Sequence, residues 1–168
     1  MVRLVSARCL VCAVAHSSAT CSREHISIYT LNGVPLFFQH FDEHIIPTLR
    51  LVHLCEFPIV SCRVAEPERR PDPDILPRVQ VDRGAIRYLL AGANMMCPGF
   101  TSAGGSLPPT PEAVPAGALV SIYCEGKDHA AAVGITKLGT EEIKTTTKGV
   151  AVEVATHLGD DLWKVQNI

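Results

Sequence analysis

The sequence predicts an α+β protein whose C-terminal part is a small barrel-like module of short strands with one or two helices. Three observations carry this: an Asn32-Gly33 dipeptide between two alternating runs, an amphipathic pattern after Asp82, and the Val150, Val152, Val154 alternation that follows a Gly126-Lys127 turn. The first and third are strand signals, and the second supplies a helix packed on them.

Composition agrees with a globular chain of one domain or two small ones: 168 residues, 47% hydrophobic, 19% charged and 5% aromatic. A net charge of -2 provides no global attraction to nucleic acid or to an anionic membrane, so any RNA contact must come from local geometry. The seven cysteines, at 9, 12, 21, 55, 62, 97 and 124, are odd in number and scattered, which argues against a disulfide-framed secreted module. No apolar run is long enough for a transmembrane helix.

The N-terminal stretch "MVRLVSARCLVCAVAHSS" has the outline of a short signal peptide, with Arg3 before an apolar run and Ala13-Val14-Ala15 as a cleavage triplet. Arg8 interrupts that run, and residues 1–21 are read as an atypical leader. Cys9, Cys12, His16, Cys21 and His25 have the donor types of a zinc site, but one Cys-x-x-Cys without a second pair reads as apolar thiols, and no metal is expected.

In "EHISIYTLNGVPLFF", Ile26, Ile28 and Thr30 share one side, the chain turns at Asn32-Gly33, and Val34, Leu36 and Phe38 resume the alternation. Asn-Gly at this place marks a hairpin because both central residues need positive φ. Pro35 predicts an edge strand. The segment "IIPTLRLVHLCEFP" predicts a short helix with Leu49, Val52 and Leu54 or Cys55 inward, and with His44 and His53 on the surface.

Residues 59–78 hold four prolines and a run of charges in which Arg63, Arg69 and Arg70 are balanced by Glu66, Glu68, Asp72 and Asp74. This reads as a solvated loop or linker. Asp82 then predicts the N-cap of a helix over 83–91, with Ala85, Ile86, Leu89 and Leu90 inward, Arg83 and Arg87 outward, and Gly92 as its C-terminal cap. In "AGANMMCPGF" the helix gives way to a tight connector whose glycines let another backbone or a phosphate approach, unless Met95 and Met96 simply fill the core.

"TSAGGSLPPTPEAVPAG" predicts a loop of low intrinsic order. "ALVSIYCEGKDHAAAVGITKL" predicts two strands around Gly126-Lys127, Thr140 to Ile143 a single helical turn, and "GVAVEVATHLGDDLWKV" a strand followed by a turn at Gly159-Asp160.

Catalysis has little support. There is no G-x-S-x-G, no G-x-G-x-x-G and no H-E-x-x-H, and the carboxylate pairs Glu141/Glu142 and Asp160/Asp161 sit beside turns. Cys97 or Cys124 with His129 is the remaining candidate for a nucleophile and base, with no orienting group to complete it.

The order of helix, "GANMMCPG", proline-rich loop, "CEGKDHAAAVGITKL" and "KGVAVEVATHLGDDLWKV" resembles the PUA domain, an RNA-binding pseudobarrel. "VDRGAIRYLLAGANMMCPGFTS" resembles more specifically the malignant T-cell-amplified sequence family, and "EHISIYTLNGVPLFFQHFDEHIIPTLRLVHLCEFP" is similar to the second half of that family's pre-PUA domain. The resemblance divides the chain into the leader 1–21, a partial α/β pre-PUA domain 22–80 interrupted by an insert at 59–74, and a PUA domain 81–168.

The resemblance implies a cytoplasmic translation factor that is no enzyme and needs no cofactor. It implies binding to the small ribosomal subunit and its rRNA, release of deacylated tRNA after termination, and support of reinitiation and non-standard initiation, as a heterodimer with density-regulated protein. On the matching motifs the RNA-facing set is Arg83, Arg87, Gly92, Ala93, Asn94, Met95, Met96, Pro98, Gly99, Lys127, His129 and Lys148. From 81 to 168 there are seven Lys/Arg against nine Asp/Glu, so a local patch must do what net charge does not. The shortened pre-PUA part leaves a second expectation open, a protein-interaction module that keeps the fold without ribosome binding.

Overall fold

In the computed structural model, which describes residues 18–21, 25–41, 43–56, 75–146 and 148–165, the hairpin forms where its turn chemistry places it. Strands β2 (Ile26–Leu31) and β3 (Val34–His40) pair antiparallel, and Asn32 and Gly33 take φ of 52° and 81°, the positive pair that this turn requires. Strand β1 (Ser18–Cys21) pairs with β2, and β4 (Ile46–Pro47) pairs with β3, giving the order β1-β2-β3-β4.

Two expectations change here. Pro35 lies in an interior strand, and it is tolerated because it sits opposite Thr30 at a non-hydrogen-bonded position of the hairpin, and on its other side β4 pairs only with Phe37 and Phe38 and does not reach it. The sheet also begins at Ser18, within the segment read as leader, because β2 offers an open antiparallel edge to 18–21. Residues 1–17, with Cys9, Cys12 and His16, and the insert 59–74 lie outside the described residues.

Helix α1 (Leu49–Glu56) starts at Thr48, whose hydroxyl accepts from Leu51 N–H at 3.3 Å and donates to the Pro35 carbonyl at 3.0 Å. Leu49, Leu51 and Val52 are buried, Cys55 is half-buried and Leu54 is exposed, so Cys55 takes the inward place. His44 is exposed as expected, but His53 is half-buried, with Nε2 2.6 Å from the Ala130 carbonyl and its ring 5.2 Å from Trp163.

The second sheet has the order β5-β7-β8-β9-β6, from β5 (Arg78–Val81), β6 (Met95–Met96), β7 (Leu119–Cys124), β8 (Ala130–Thr136) and β9 (Val150–His157). The β5–β7 pair is parallel and the others antiparallel, so the sheet starts three residues ahead of Val81. Its core gathers Val79, Val81, Leu89, Met95, Phe100, Val120, Ile122, Ile143 and Val152. Gly134 is required by strand approach: a Cβ there would lie 2.6 Å from the Glu153 carbonyl oxygen and from Val152.

The helix expected over 83–91 contracts to α2 (Ile86–Leu89) with a turn on either side, and Leu90 is exposed rather than inward. Asp82 caps the turn that leads into it, its Oδ1 accepting from Ala85 N–H at 3.0 Å, while the helix itself starts after Ala85 with no side-chain cap. Gly92 (φ 76°) closes it with paired bonds, Ala93 N–H to Tyr88 carbonyl and Gly92 N–H to Leu89 carbonyl, both 3.0 Å. Pro98-Gly99 opens rather than breaks an element: it lies in the first turn of α3 (Cys97–Thr101), where a missing N–H costs nothing. The following loop is ordered by the Gln80–Ser106 bridge, a 3-10 turn at Thr110–Glu112 and buried Val114.

Helix α4 (Thr140–Thr145) is the expected single turn and a little more, with the Glu142 carboxylate accepting from Gly139 N–H. After β9 the chain forms a helical turn, α5 (Asp161–Lys164), capped by Asp160 Oδ1 on Trp163 N–H at 2.6 Å. A shared core joins the two sheets: Ile46, Leu49 and Val52 pack with Tyr123, Ala130 and Val133, and Trp163 covers them.

Candidate nucleic-acid interface

The face begins at the junction of β5, α2 and α3. Asp82 N–H donates to the Gly99 carbonyl at 2.9 Å, and Ala85 stands 3.4 Å from where a Gly99 Cβ would be, so Gly99 lets α2 lie close on α3. Arg83 N–H then donates to Glu125 Oε2 at 3.0 Å, which ties the start of α2 to the β7–β8 turn. The Glu125 carboxylate rests against Gly104, where a Cβ would overlap it, and the Arg83 guanidinium reaches Gly126.

This brings Arg83 and Lys127 to one side of the module although they are far apart in sequence. Arg87 follows one turn after Arg83, exposed, with Nη2 donating to the Tyr88 hydroxyl at 2.6 Å and the guanidinium 4.6 Å from the Tyr88 ring centre. Tyr88, Glu125 and Gly104 are absent from the set read from sequence. Only the Glu125 position, next to the turn glycine, carried a local signal.

The connector forms the free edge of the sheet. Gly92, Ala93 and Asn94 are exposed, and a Cβ on Gly92 would sit 3.0 Å from His157 Nε2. Asn94 Oδ1 accepts from Val154 N–H at 3.2 Å. Met95 and Met96 pair with Val152 and Val150 as β6, so they separate: Met95 is 2% exposed and Met96 50%. Met95 is therefore a core residue, a correction to its place in the surface set, because the pleat sends alternate side chains to opposite faces.

Lys148 is exposed beside this edge, where the Gly149 carbonyl accepts from Cys97 N–H at 3.0 Å. Pro98 is exposed. His129 is exposed, with its ring 5.7 Å from that of His53 on α1.

Charge pairing separates the cations. Lys137, Lys144 and Lys164 are engaged with Glu153, Glu141 and Asp161. Among the described residues from 81 onward, Arg83, Arg87, Lys127 and Lys148 make no ion pair, so no carboxylate neutralises them.

The thiols run the other way. Burial pushes the Cys97 thiol above its ordinary value, and burial also raises Cys124, with Lys127 pulling it partly back. A raised thiol is a poor nucleophile at neutral pH. No group of three or more metal-ligating side chains occurs among the described residues, and none of their helices is long and apolar enough to cross a membrane.

Comparison with known proteins bears on the fold and the family. The PUA domain pattern matches residues 77–158 and the Pre-PUA-like domain pattern residues 9–55. The chain is 47% identical over 140 residues to Translation machinery-associated protein 20 of Saccharomyces cerevisiae, covering 83% of this chain and 67% of that one. It is 42% identical over 143 residues to Malignant T-cell-amplified sequence 1 of Rattus norvegicus (85% and 67% covered) and 40% identical over 143 residues to Malignant T-cell-amplified sequence 2 of Homo sapiens, with the same coverage.

Solved structures share the fold: a hypothetical protein from Pyrococcus horikoshii (TM-score 0.62, 24% identity, 89% of this chain and 77% of that one) and a conserved PUA domain protein from Thermoplasma acidophilum (TM-score 0.59, 23% identity, 89% and 82%). With its two domains, its α+β architecture and relatives of this identity along most of its length, the chain belongs to the family of Translation machinery-associated protein 20 and the Malignant T-cell-amplified sequence proteins.

Proposed function

We propose that this protein is an RNA-binding translation factor of the cytoplasm that acts by binding, without catalysis, on the small ribosomal subunit. It takes part in reinitiation, non-standard initiation and the release of deacylated tRNA after termination, as a heterodimer with density-regulated protein. The observation that carries the RNA reading is the set of unpaired cations, Arg83, Arg87, Lys127 and Lys148, standing around the exposed connector while the other lysines after residue 130 are neutralised by carboxylates. The name of the yeast relative, a translation machinery-associated protein, supports the same reading.

A protein partner is supported by apolar side chains that the N-terminal half leaves in solvent: Phe41 is 57% exposed, and Leu31, Ile45 and Leu54 are exposed as well. Density-regulated protein is the occupant we propose for that side.

The test is co-sedimentation of the full chain with small ribosomal subunits on sucrose gradients, with and without density-regulated protein, at low and high salt, beside an Arg83→Glu/Lys127→Glu variant. Salt-sensitive binding that the variant loses is the expected result. Folded protein that never sediments with the subunit, yet still captures density-regulated protein, would assign the chain to protein interaction alone.

A further inference from the structure

We propose that Tyr88, braced by Arg87, is a stacking site for one unpaired RNA base at the Arg83–Arg87 face; this rests on the RNA-binding reading above. Three observations carry it. Tyr88 lies on α2 with 51% of its surface in solvent, a large exposure for an aromatic ring on a short helix whose next residue, Leu89, is fully buried. Its hydroxyl accepts from Arg87 Nη2 at 2.6 Å, and the same guanidinium lies 4.6 Å from the ring centre, so the ring is held at its hydroxyl end with one face covered by a cation. The exposed remainder is open to a planar partner.

A base has what this arrangement recognises: a π face for the ring, and next to it a phosphate for the free charges of Arg83 and Arg87. Neighbouring side chains on a helix do not ordinarily meet. The Arg87 chain must fold over Tyr88 to make both contacts, which restricts the rotamers of the ring before any ligand arrives and lowers the entropy cost of stacking. Arg83, at the start of the same turn, is tied through its backbone N–H to Glu125 and has its guanidinium beside Gly126.

The class of ligand follows from what is missing as much as from what is present. The exposed ring offers a π face, and its one polar group, the hydroxyl, is already engaged by Arg87, so the ring stacks on a base and does not read its edge. The site therefore takes any exposed base of a single strand, a loop or a chain end, in preference to a paired duplex whose bases are already stacked.

The test uses the full chain and a short single-stranded RNA carrying 2-aminopurine, whose fluorescence is quenched on stacking. Wild type should quench the probe. Tyr88→Phe, which keeps the ring, should retain most of the quench, and Tyr88→Leu should abolish it and weaken binding by roughly five- to a hundredfold with an unchanged salt slope. Circular dichroism and thermal unfolding check that the Leu variant keeps its fold.

RNA binding with a normal salt slope but no sensitivity to Tyr88→Leu would overturn the stacking site and leave the RNA reading standing. No binding of wild type to the probe or to ribosomal subunits at low salt would overturn both. Loss of density-regulated protein on Tyr88→Leu, with RNA binding intact, would overturn it in favour of a protein contact.

Discussion

The Arg50 guanidinium joins the two halves of the molecule: it donates to the Trp163 carbonyl at 2.7 Å and to the Val165 carbonyl at 3.3 Å, and lies 5.3 Å from the centre of the Trp163 ring. Arg50 belongs to α1 of the first sheet and Trp163 to the last helical turn of the second, so one side chain ties the C-terminal segment to the N-terminal half. Beside it lies a small pocket lined by Thr48, Thr156 and Asp160.

Arg50→Ala is expected to lower the stability of the whole chain by about 1.5–3 kcal/mol, the range for a hydrogen bond to a charged group. Arg50→Lys should recover little of this, because an ammonium has no planar face to lay on the indole. Thermal unfolding followed by Trp163 fluorescence reads both.

Asp160 holds the other side of that turn, accepting from Trp163 N–H at 2.6 Å and from His157 N–H at 3.0 Å. Asp160→Ala should cost about 0.5–2 kcal/mol as a lost cap, and Asp160→Asn noticeably less. Urea denaturation of the three proteins orders them.

Gly134→Ala drives a methyl against the Glu153 carbonyl and Val152, both 2.6 Å from the Cβ position, and neither is the far end of a flexible side chain. A loss of about 1–3 kcal/mol or more is expected. At Gly117 (φ 81°) nothing stands within 4 Å, so alanine there meets only backbone strain, about 1–2 kcal/mol. Denaturant midpoints should separate the two if packing, and not glycine content, sets the cost at Gly134.

Burial holds the Cys97 and Cys124 thiols protonated above their ordinary value of 9.0, with Lys127 opposing this at Cys124. Since the folded state binds these protons more tightly than the unfolded chain, the associated stability is complete below pH 9 and is lost as pH rises through the raised values. Both cysteines should label slowly with iodoacetamide at neutral pH and quickly once unfolded. Rapid labelling of either in the folded protein would reopen a cysteine-based activity.

Arg83→Ala should weaken RNA binding about equally for all sequences and reduce the slope of log affinity against log salt by about one. Lys127→Ala should do the same, and Lys137→Ala, already paired with Glu153, should change the slope little. Fluorescence anisotropy over a salt series measures all three.

Much of the fold was legible because local chemistry decides it. Asn32-Gly33 had to turn with positive φ, Asp82 had to cap, and Gly92 had to close α2, each a demand that the residue itself makes on its backbone. The cations of the candidate face were legible as residue types on matched motifs. Their freedom from ion pairs was not, since Lys137 and Glu153 meet only through the pairing of β8 with β9.

By itself, then, the sequence determined the α+β class, the hairpins, the glycine that closes α2 and the family, all of which depend on short-range steric rules and on motif order. Only the tertiary structure decided that Pro35 lies in an interior strand, that His53 leaves the surface to meet Ala130 and Trp163, and that Met95 enters the core while Met96 stays in solvent. In each case the deciding partner is remote in the chain, and burial belongs to the pair of surfaces that meet.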